Sequence, residues 1–358
     1  MKYRTATIFP LEDIGASGTR IEKLVTKDPI TSLYFDFRYT IGAGERSAPE
    51  PSIFSKIELV DGSDVLMSLS GTELVAAHFY ERNPLLRVTA SNLQSATMSS
   101  AMEHNFGRFK RDPMLAFDPT KFINPQLRFT WDVTDIEANA TAVSLAVIAE
   151  CFDEKVISPI GFLSTQEYHQ YTNVASSYKY IELPTDRIIR KLYFQPKYFG
   201  QATAQLMAEA RLDEDNLKRI PFDLTYRDWA NLNALDFGML SQNVWFDCTS
   251  QTDFVYGAPC WNESPTVINT TAKRAIQGHT MSNGLYSFLS DTATDIGTGY
   301  LHGSLPYAVF CFPFGDQMDM DDWYDPTGGK VGSLRLRILA GTVADGTFST
   351  ILQQLRRY

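Results

Sequence analysis

The sequence predicts an all-β chain in which one β-sandwich design is built twice in tandem, with short helices in the connecting loops. Three observations carry that expectation. Asp118-Pro119-Thr120 returns as Asp325-Pro326-Thr327, and Leu127-Arg128 returns as Leu334-Arg335 at the same offset, the pattern of an internal duplication. Apolar runs alternate with turn signals such as Asp61-Gly62 and Asp345-Gly346. The 23 Phe and 17 Tyr among 358 residues favour packed strands.

In the first copy, Leu33, Phe35, Phe37 and Tyr39 fall on one face of a strand. Ile57–Val60 and Val65–Leu69 flank Asp61-Gly62, where glycine accepts the positive φ of a tight hairpin turn. Ser70-Gly71-Thr72-Glu73 then fits a capping box, and Leu74, Val75, His78 and Phe79 form the apolar stripe of a short helix. Asp118-Pro119-Thr120 suits a bend, because proline pushes its predecessor towards extended geometry. Phe129–Val133, a turn through Asp135 to Asn139, and Ala142–Cys151 close the copy with two strands.

The second copy repeats the order. Ile188–Phe194 is the counterpart of the first strand, with a less clean alternation. Ala208–Leu212 and Leu217–Leu224 flank a turn at Asp213–Asn216, and Thr225-Tyr226-Arg227-Asp228 opens a helix carrying Trp229, Ala230, Asn233 and Ala234. Leu336–Ala340 and Phe348–Leu355 close it about Asp345-Gly346. The expected division is an amino-terminal arm at 1–17, a first domain at 18–152, a linker at 153–172 broken by Pro159-Ile160-Gly161, and a second domain at 173–358. The middle of the second copy is much longer than that of the first. Its Thr-, Ser-, Asn- and Gly-rich stretch at about 250–303 reads as a long outward loop insertion, since surface loops absorb added length at small entropic cost.

The net charge of −10 argues against a general nucleic-acid-binding surface, and no sequence-specific nucleic-acid contact is expected. No apolar run reaches the length of a membrane-spanning helix. Cys151, Cys248, Cys260 and Cys311 are scattered without metal spacing and read as buried free thiols. His78, His104, His169, His279 and His302 fall in unrelated contexts, with no nucleophile motif beside them. Ile296-Gly297-Thr298-Gly299 reads as a turn rather than a phosphate cradle. Asp316, Asp319, Asp321 and Asp322 form the densest acidic patch; a structural ion is one reading, and a solvated acidic turn is favoured. No catalytic, cofactor-binding or metal residue is assigned, and the chain is not expected to be an enzyme.

Ile57 to Phe79, its counterpart Ala208 to Ala234, and the closing stretch from Trp323-Tyr324-Asp325-Pro326 through Leu334-Arg335-Leu336 to Tyr358 resemble the double jelly-roll major capsid proteins. That lineage includes adenovirus hexon and tailless, membrane-containing bacteriophages. The resemblance implies two eight-stranded jelly rolls side by side, a homotrimer of nearly hexagonal outline, and neighbouring trimers tiling an icosahedral virion assembled in the host cytoplasm. Loops of the second roll would form a tower. Minor capsid or vertex proteins would be partners, and Lys2, Tyr3 and Arg4 of the arm would face the interior or an internal lipid membrane. Two other readings compete. One is a carbohydrate-binding or carbohydrate-cleaving tandem sandwich using Trp245, Trp261 and Trp323. The other is a receptor-binding spike whose working part is the insertion.

Overall fold

Two β-sandwiches of identical strand order make up the chain, seen in a computed structural model that describes residues 2–42, 44, 46–81, 88–93, 95–154, 156–248, 252–270, 276–290 and 295–358. The first copy comprises β1 (Tyr3–Gly15), β2 (Ser17–Lys23), β3 (Ile30–Thr40), β4 (Phe54–Asp61) and β5 (Asp64–Leu69). Helix α1 (Gly71–Phe79) and the short β6 (Ala90–Asn92) follow, then β7 (Thr97–Asn105), β8 (Pro125–Asp132) and β9 (Ala142–Phe152). The second copy opens with β10 (Gly161–Thr172), β11 (Tyr178–Leu183), β12 (Ile189–Lys197) and the single turn α2 (Thr203–Leu206). It continues with β13 (Met207–Glu214), β14 (Arg219–Thr225) and α3 (Tyr226–Phe237), and closes with β21 (Phe310–Pro313), β22 (Leu334–Ala340) and β23 (Thr347–Arg357). Between α3 and β21 lie β15 (Leu240–Cys248), β16 (Thr252–Tyr256), β17 (Trp261–Thr270), β18 (Gln277–Ser282), β19 (Leu285–Leu289) and β20 (Asp295–Ser304).

The sheet orders make the duplication explicit. The first copy pairs its strands as β1-β9-β3-β7 and β2-β8-β4-β5; the second as β10-β23-β12-β21 and β11-β22-β13-β14. Each is an eight-stranded jelly roll of two four-stranded sheets. The sheets β2-β8-β4-β5 and β10-β23-β12-β21 are joined edge to edge through a parallel contact of Gln166 with Ser68, giving one eight-stranded sheet across both rolls.

The repeated residues do repeated jobs. Asp118 Oδ1 accepts from Thr120 N and Oγ1 at 3.0 and 2.6 Å, and Asp325 Oδ1 accepts from Thr327 N and Oγ1 at 3.1 and 2.5 Å. Both are the same side-chain-closed turn. Arg128 sits opposite Glu58 at 3.5 Å, and Arg335 sits opposite Asp213 at 3.8 Å, each a cross-strand ion pair at a matching place. The α1 capping box is complete: Ser70 Oγ accepts from Glu73 N, and Glu73 takes the Ser70 N–H at 2.8 Å. At α3 only half forms. Thr225 Oγ1 accepts from Asp228 N, but the shorter Asp228 carboxylate takes the Thr225 hydroxyl instead of reaching the backbone.

Four expectations need correction. The arm at 1–17 is β1, an edge strand paired to β9; its register breaks at three irregularities and only Phe9 is buried, which hides the strand pattern. The linker at 153–172 is largely β10, paired to β23 over its whole length. Pro159-Ile160-Gly161 ends just where that strand starts. The insertion runs through β15–β20 and is a folded tower of two small sheets, not a loop; Ser250 itself lies outside the described residues. Val244, Phe246, Val255, Tyr286, Phe288 and Leu301 form its core together with Ala90 of β6, and the Phe246 and Phe288 rings stack at 4.1 Å.

Gly297 and Gly299 are mid-strand in β20, not in a turn. A Cβ on Gly297 would lie 2.2 Å from the Phe246 ring, and one on Gly299 would lie 2.0 Å from the Thr266 carbonyl oxygen. The glycines are there for close approach. Gly299→Val should therefore loosen the tower by about 1–3 kcal/mol. Hydrogen exchange would show faster exchange across β15, β17 and β20, with the two rolls unchanged.

The ends of the molecule are distinct. The β4–β5 turn receives Ile123 and Asn124 N–H groups on Asp61, so the β7–β8 loop lies at that end. Ile30 bonds to Phe117, Phe152 bonds to Pro29, Asp153 bonds to Lys2, and Tyr358 bonds to Ile160 at the same end. Both termini therefore sit at one end, while α1, α3 and the tower occupy the other.

Candidate assembly faces

One interface between rolls is already built within the chain, and α1 is its centre. Leu74 and Val75 of α1 turn into the first roll's core, while Tyr80, just past the helix, turns towards the second roll. The Tyr80 ring lies 6.0 Å from that of Tyr193 on β12, and its hydroxyl donates to the Val309 carbonyl oxygen. Gln195 Nε2 of β12 donates to Thr72 Oγ1 of α1 at 3.4 Å.

Glu81 completes the seam. Its carboxylate accepts from Arg190 Nη1 at 2.8 Å and Lys191 Nζ at 2.8 Å, and Gln353 Nε2 donates to it at 3.2 Å. The Arg190 and Lys191 side chains are only 2% and 1% exposed. Burial pushes the Glu81 carboxyl up, but the two adjoining cations overcome it and hold it down at about 2. Glu81 is thus ionised and neutralises part of a buried double positive charge. Sequence reading missed this cluster. The strand Ile189–Lys197 alternates poorly because both its faces are buried: Leu192 and Phe194 enter the second core, and Tyr193 packs in the seam.

Two of the exposed sheet faces carry charged and aromatic side chains of note. On the second roll's outer sheet, Tyr178 and Tyr180 stack with centroids 6.4 Å apart and are each about half exposed. Arg335 lies over Tyr180 and Arg337 over Tyr178, both at 5.2 Å. Asp213 holds Arg211 at 2.6 Å, and Glu209 and Asp223 each approach Arg337 at 3.6 Å. Tyrosine and arginine are the residue types enriched in protein–protein contacts. Tyr178-x-Tyr180 and Arg335-x-Arg337, both with the period of a strand, were the signal available in the sequence. On the first roll's β1-β9-β3-β7 sheet, Tyr34, Asp36, Arg38 and Thr40 point outward, and Tyr34 lies beside Glu150, which binds Lys110 at 2.9 Å and Arg111 at 2.6 Å.

The remaining residues singled out by sequence have ordinary places. Asp316 Oδ1 accepts from Met318 N, Asp319 Oδ1 from Asp321 N, and Asp322 Oδ2 from Asp316 N, so three carboxylates of the acidic patch close its own turns. Trp323 is buried with its indole N–H on the Asp316 carbonyl, Trp261 donates to Asn231 of α3, and Trp245 is partly exposed on the tower. They do not share a sugar-binding platform. Cys151, Cys260 and Cys311 are buried free thiols; the Cys248 side chain lies outside the described residues. Arg4 of β1 is tied to Asp28.

No protein-family profile and no curated protein sequence matches this chain. Solved structures do. STIV MCP superposes with a TM-score of 0.62 at 10% identity, covering 99% of this chain and 97% of that one. The fold is the double jelly roll of viral major capsid proteins. The PBCV-1 virus capsid matches at a TM-score of 0.58, 10% identity, and 99% and 93% coverage. The major capsid protein from bacteriophage PM2 matches at 0.55, 10% identity, and 99% and 98% coverage. At such identity the double jelly roll is held by topology and buried pattern, not by shared side chains. The capsid proteins are covered almost end to end, so both rolls and their relative placement take part in the likeness.

Proposed function

We propose that this chain is the major coat protein of an icosahedral virus and acts by self-association, three copies forming a trimer of six rolls. The observation that carries this is the fusion of two rolls of one topology into a single sheet-linked unit. A repeated unit offers the same kind of flank twice per chain, so three chains fill a sixfold environment and close their contacts by point symmetry. Full-length likeness to viral major capsid proteins supports the reading. Neighbouring trimers, minor capsid or vertex proteins are the expected partners in the virion, after assembly in the host cytoplasm. The end bearing both termini, with Lys2 beside Asp153, faces the shell interior or an internal membrane, and the tower faces outward.

Light scattering of purified full-length protein tests this. The expected mass is three times the 40.3 kDa of one chain. A chain that stays monomeric at micromolar concentration contradicts it.

A further inference from the structure

We infer that the exposed face of α3 is the trimer contact, docking on the outer face of the β1-β9-β3-β7 sheet of a second copy of this chain. The inference rests on the self-assembly reading and names its surface. It comes from comparing the two helices. Both follow the hairpin of their roll, and both start at a hydroxyl cap, Ser70 or Thr225. Counting from those caps, Ala77 corresponds to Leu232, Tyr80 to Leu235, and Glu81 to Asp236.

Their surroundings differ sharply. Ala77 and Tyr80 are 7% and 1% exposed, because the second roll covers them. Leu232 and Leu235 are 41% and 81% exposed, and Met239 beside them is 49% exposed. On the other side of α3, Trp229, Ala230 and Asn233 are buried in their own roll, so the open stripe is the face that α1 gives to its neighbour. An apolar stripe left open where its duplicate is closed identifies its missing cover.

That cover is specified by the same duplication. Tyr80 and Glu81, at the end of α1, reach β12 and β23 of the β10-β23-β12-β21 sheet, whose counterpart is β1-β9-β3-β7. The strands β23 and β9 are equal in length, and Ile351 and Ala146 hold the same place in them. Tyr193 pairs with Ile351, and Asp36 pairs with Ala146, so Asp36 is the counterpart of Tyr193. Tyr80 meets Tyr193 within the chain; Leu235 should meet the Asp36 region between chains. Lys191 likewise corresponds to Tyr34, since their partners Gln353 and Ile148 hold matching places. Lys110 lies 4.7 Å over the Tyr34 ring, with Arg111 beside it on Glu150. Asp236, the counterpart of Glu81, would thus approach cations as Glu81 does. The contact is heterologous, α3 of one chain on the sheet of the next, and it closes into a three-membered ring when each step turns by a third of a circle.

The test uses the full-length protein. Leu232→Glu with Leu235→Glu should raise the concentration for half-assembly by about 100-fold, read by light scattering. Ile123→Glu, at the opposite end of the roll, should leave it unchanged. Independently, Leu235→Cys with Asp36→Cys, treated with a short bis-maleimide, should give covalent trimers on a denaturing gel, and each single-cysteine variant should not. A wild-type trimer that survives the double glutamate change, or lacks the Leu235–Asp36 cross-link, overturns this contact while leaving self-assembly standing. A wild-type chain that never assembles overturns both.

Discussion

Glu81→Gln is expected to destabilise the folded chain by about 3–5 kcal/mol, because it strands two buried cations beside one another. The side chains of Arg190 and Lys191 are almost wholly inaccessible, so water screens them poorly once the carboxylate charge is gone. Glutamine keeps the shape and one acceptor but removes the charge. The effect carries a pH signature with a definite sign. The folded Glu81 carboxyl titrates at about 2, below the roughly 4.3 of an unfolded glutamate. Its contribution is therefore fully present above about pH 4.3 and is lost as pH falls towards 2. Urea unfolding of wild type and variant should show a constant gap between pH 5 and 8 that narrows in acid. A gap below about 1 kcal/mol would mean the seam does not depend on this charge. Adding Lys191→Met to Glu81→Gln should recover part of the loss, since an apolar side chain needs no counter-ion there.

Trp229→Ala should cost about 3–5 kcal/mol as well, through a different mechanism. The indole is 1% exposed, with the Phe222 and Phe310 rings at 5.3 and 5.1 Å, and its N–H donates to the Cys311 carbonyl at 2.8 Å. Asn233 Nδ2 also donates to that carbonyl at 2.6 Å, so the oxygen is not orphaned by the change. The loss is mostly packing and cavity. Trp229→Phe should accordingly recover most of it in the same unfolding measurement. Equal destabilisation by Phe and Ala would assign the effect to the hydrogen bond instead. Since Trp229 anchors α3 to its roll, the alanine variant should also weaken assembly.

The repeat was legible where function is local to a turn or a cap. Asp118 and Asp325 close their own turns, and Ser70 binds three residues ahead, so short motifs expose them. The Asp61-Gly62 hairpin was legible for the same reason, with Gly62 at φ 63°. The parts that stayed hidden depend on partners distant in the chain. β1 looks like an arm because its partner β9 lies far along the chain and its own alternation is broken by bulges. The tower looks like a loop because Phe246, Tyr286 and Phe288 form a core only when brought together with Ala90 of the other roll. Glu81, Arg190 and Gln353 meet from three remote segments, and no spacing announces such a cluster. Leu235 reads in sequence as one more helical leucine. Its meaning appears only when its counterpart Tyr80 is seen covered.

Electron cryomicroscopy of the assembled particle, carried to a resolution that traces side chains, is the most direct test of the central idea that the link between rolls inside one chain is repeated between chains. The expected image shows capsomers of hexagonal outline with three outward towers, and α3 of each chain lying on the β1-β9-β3-β7 sheet of the next. Capsomers in which that helix faces solvent, or in which the two rolls of a chain stand apart, would contradict it.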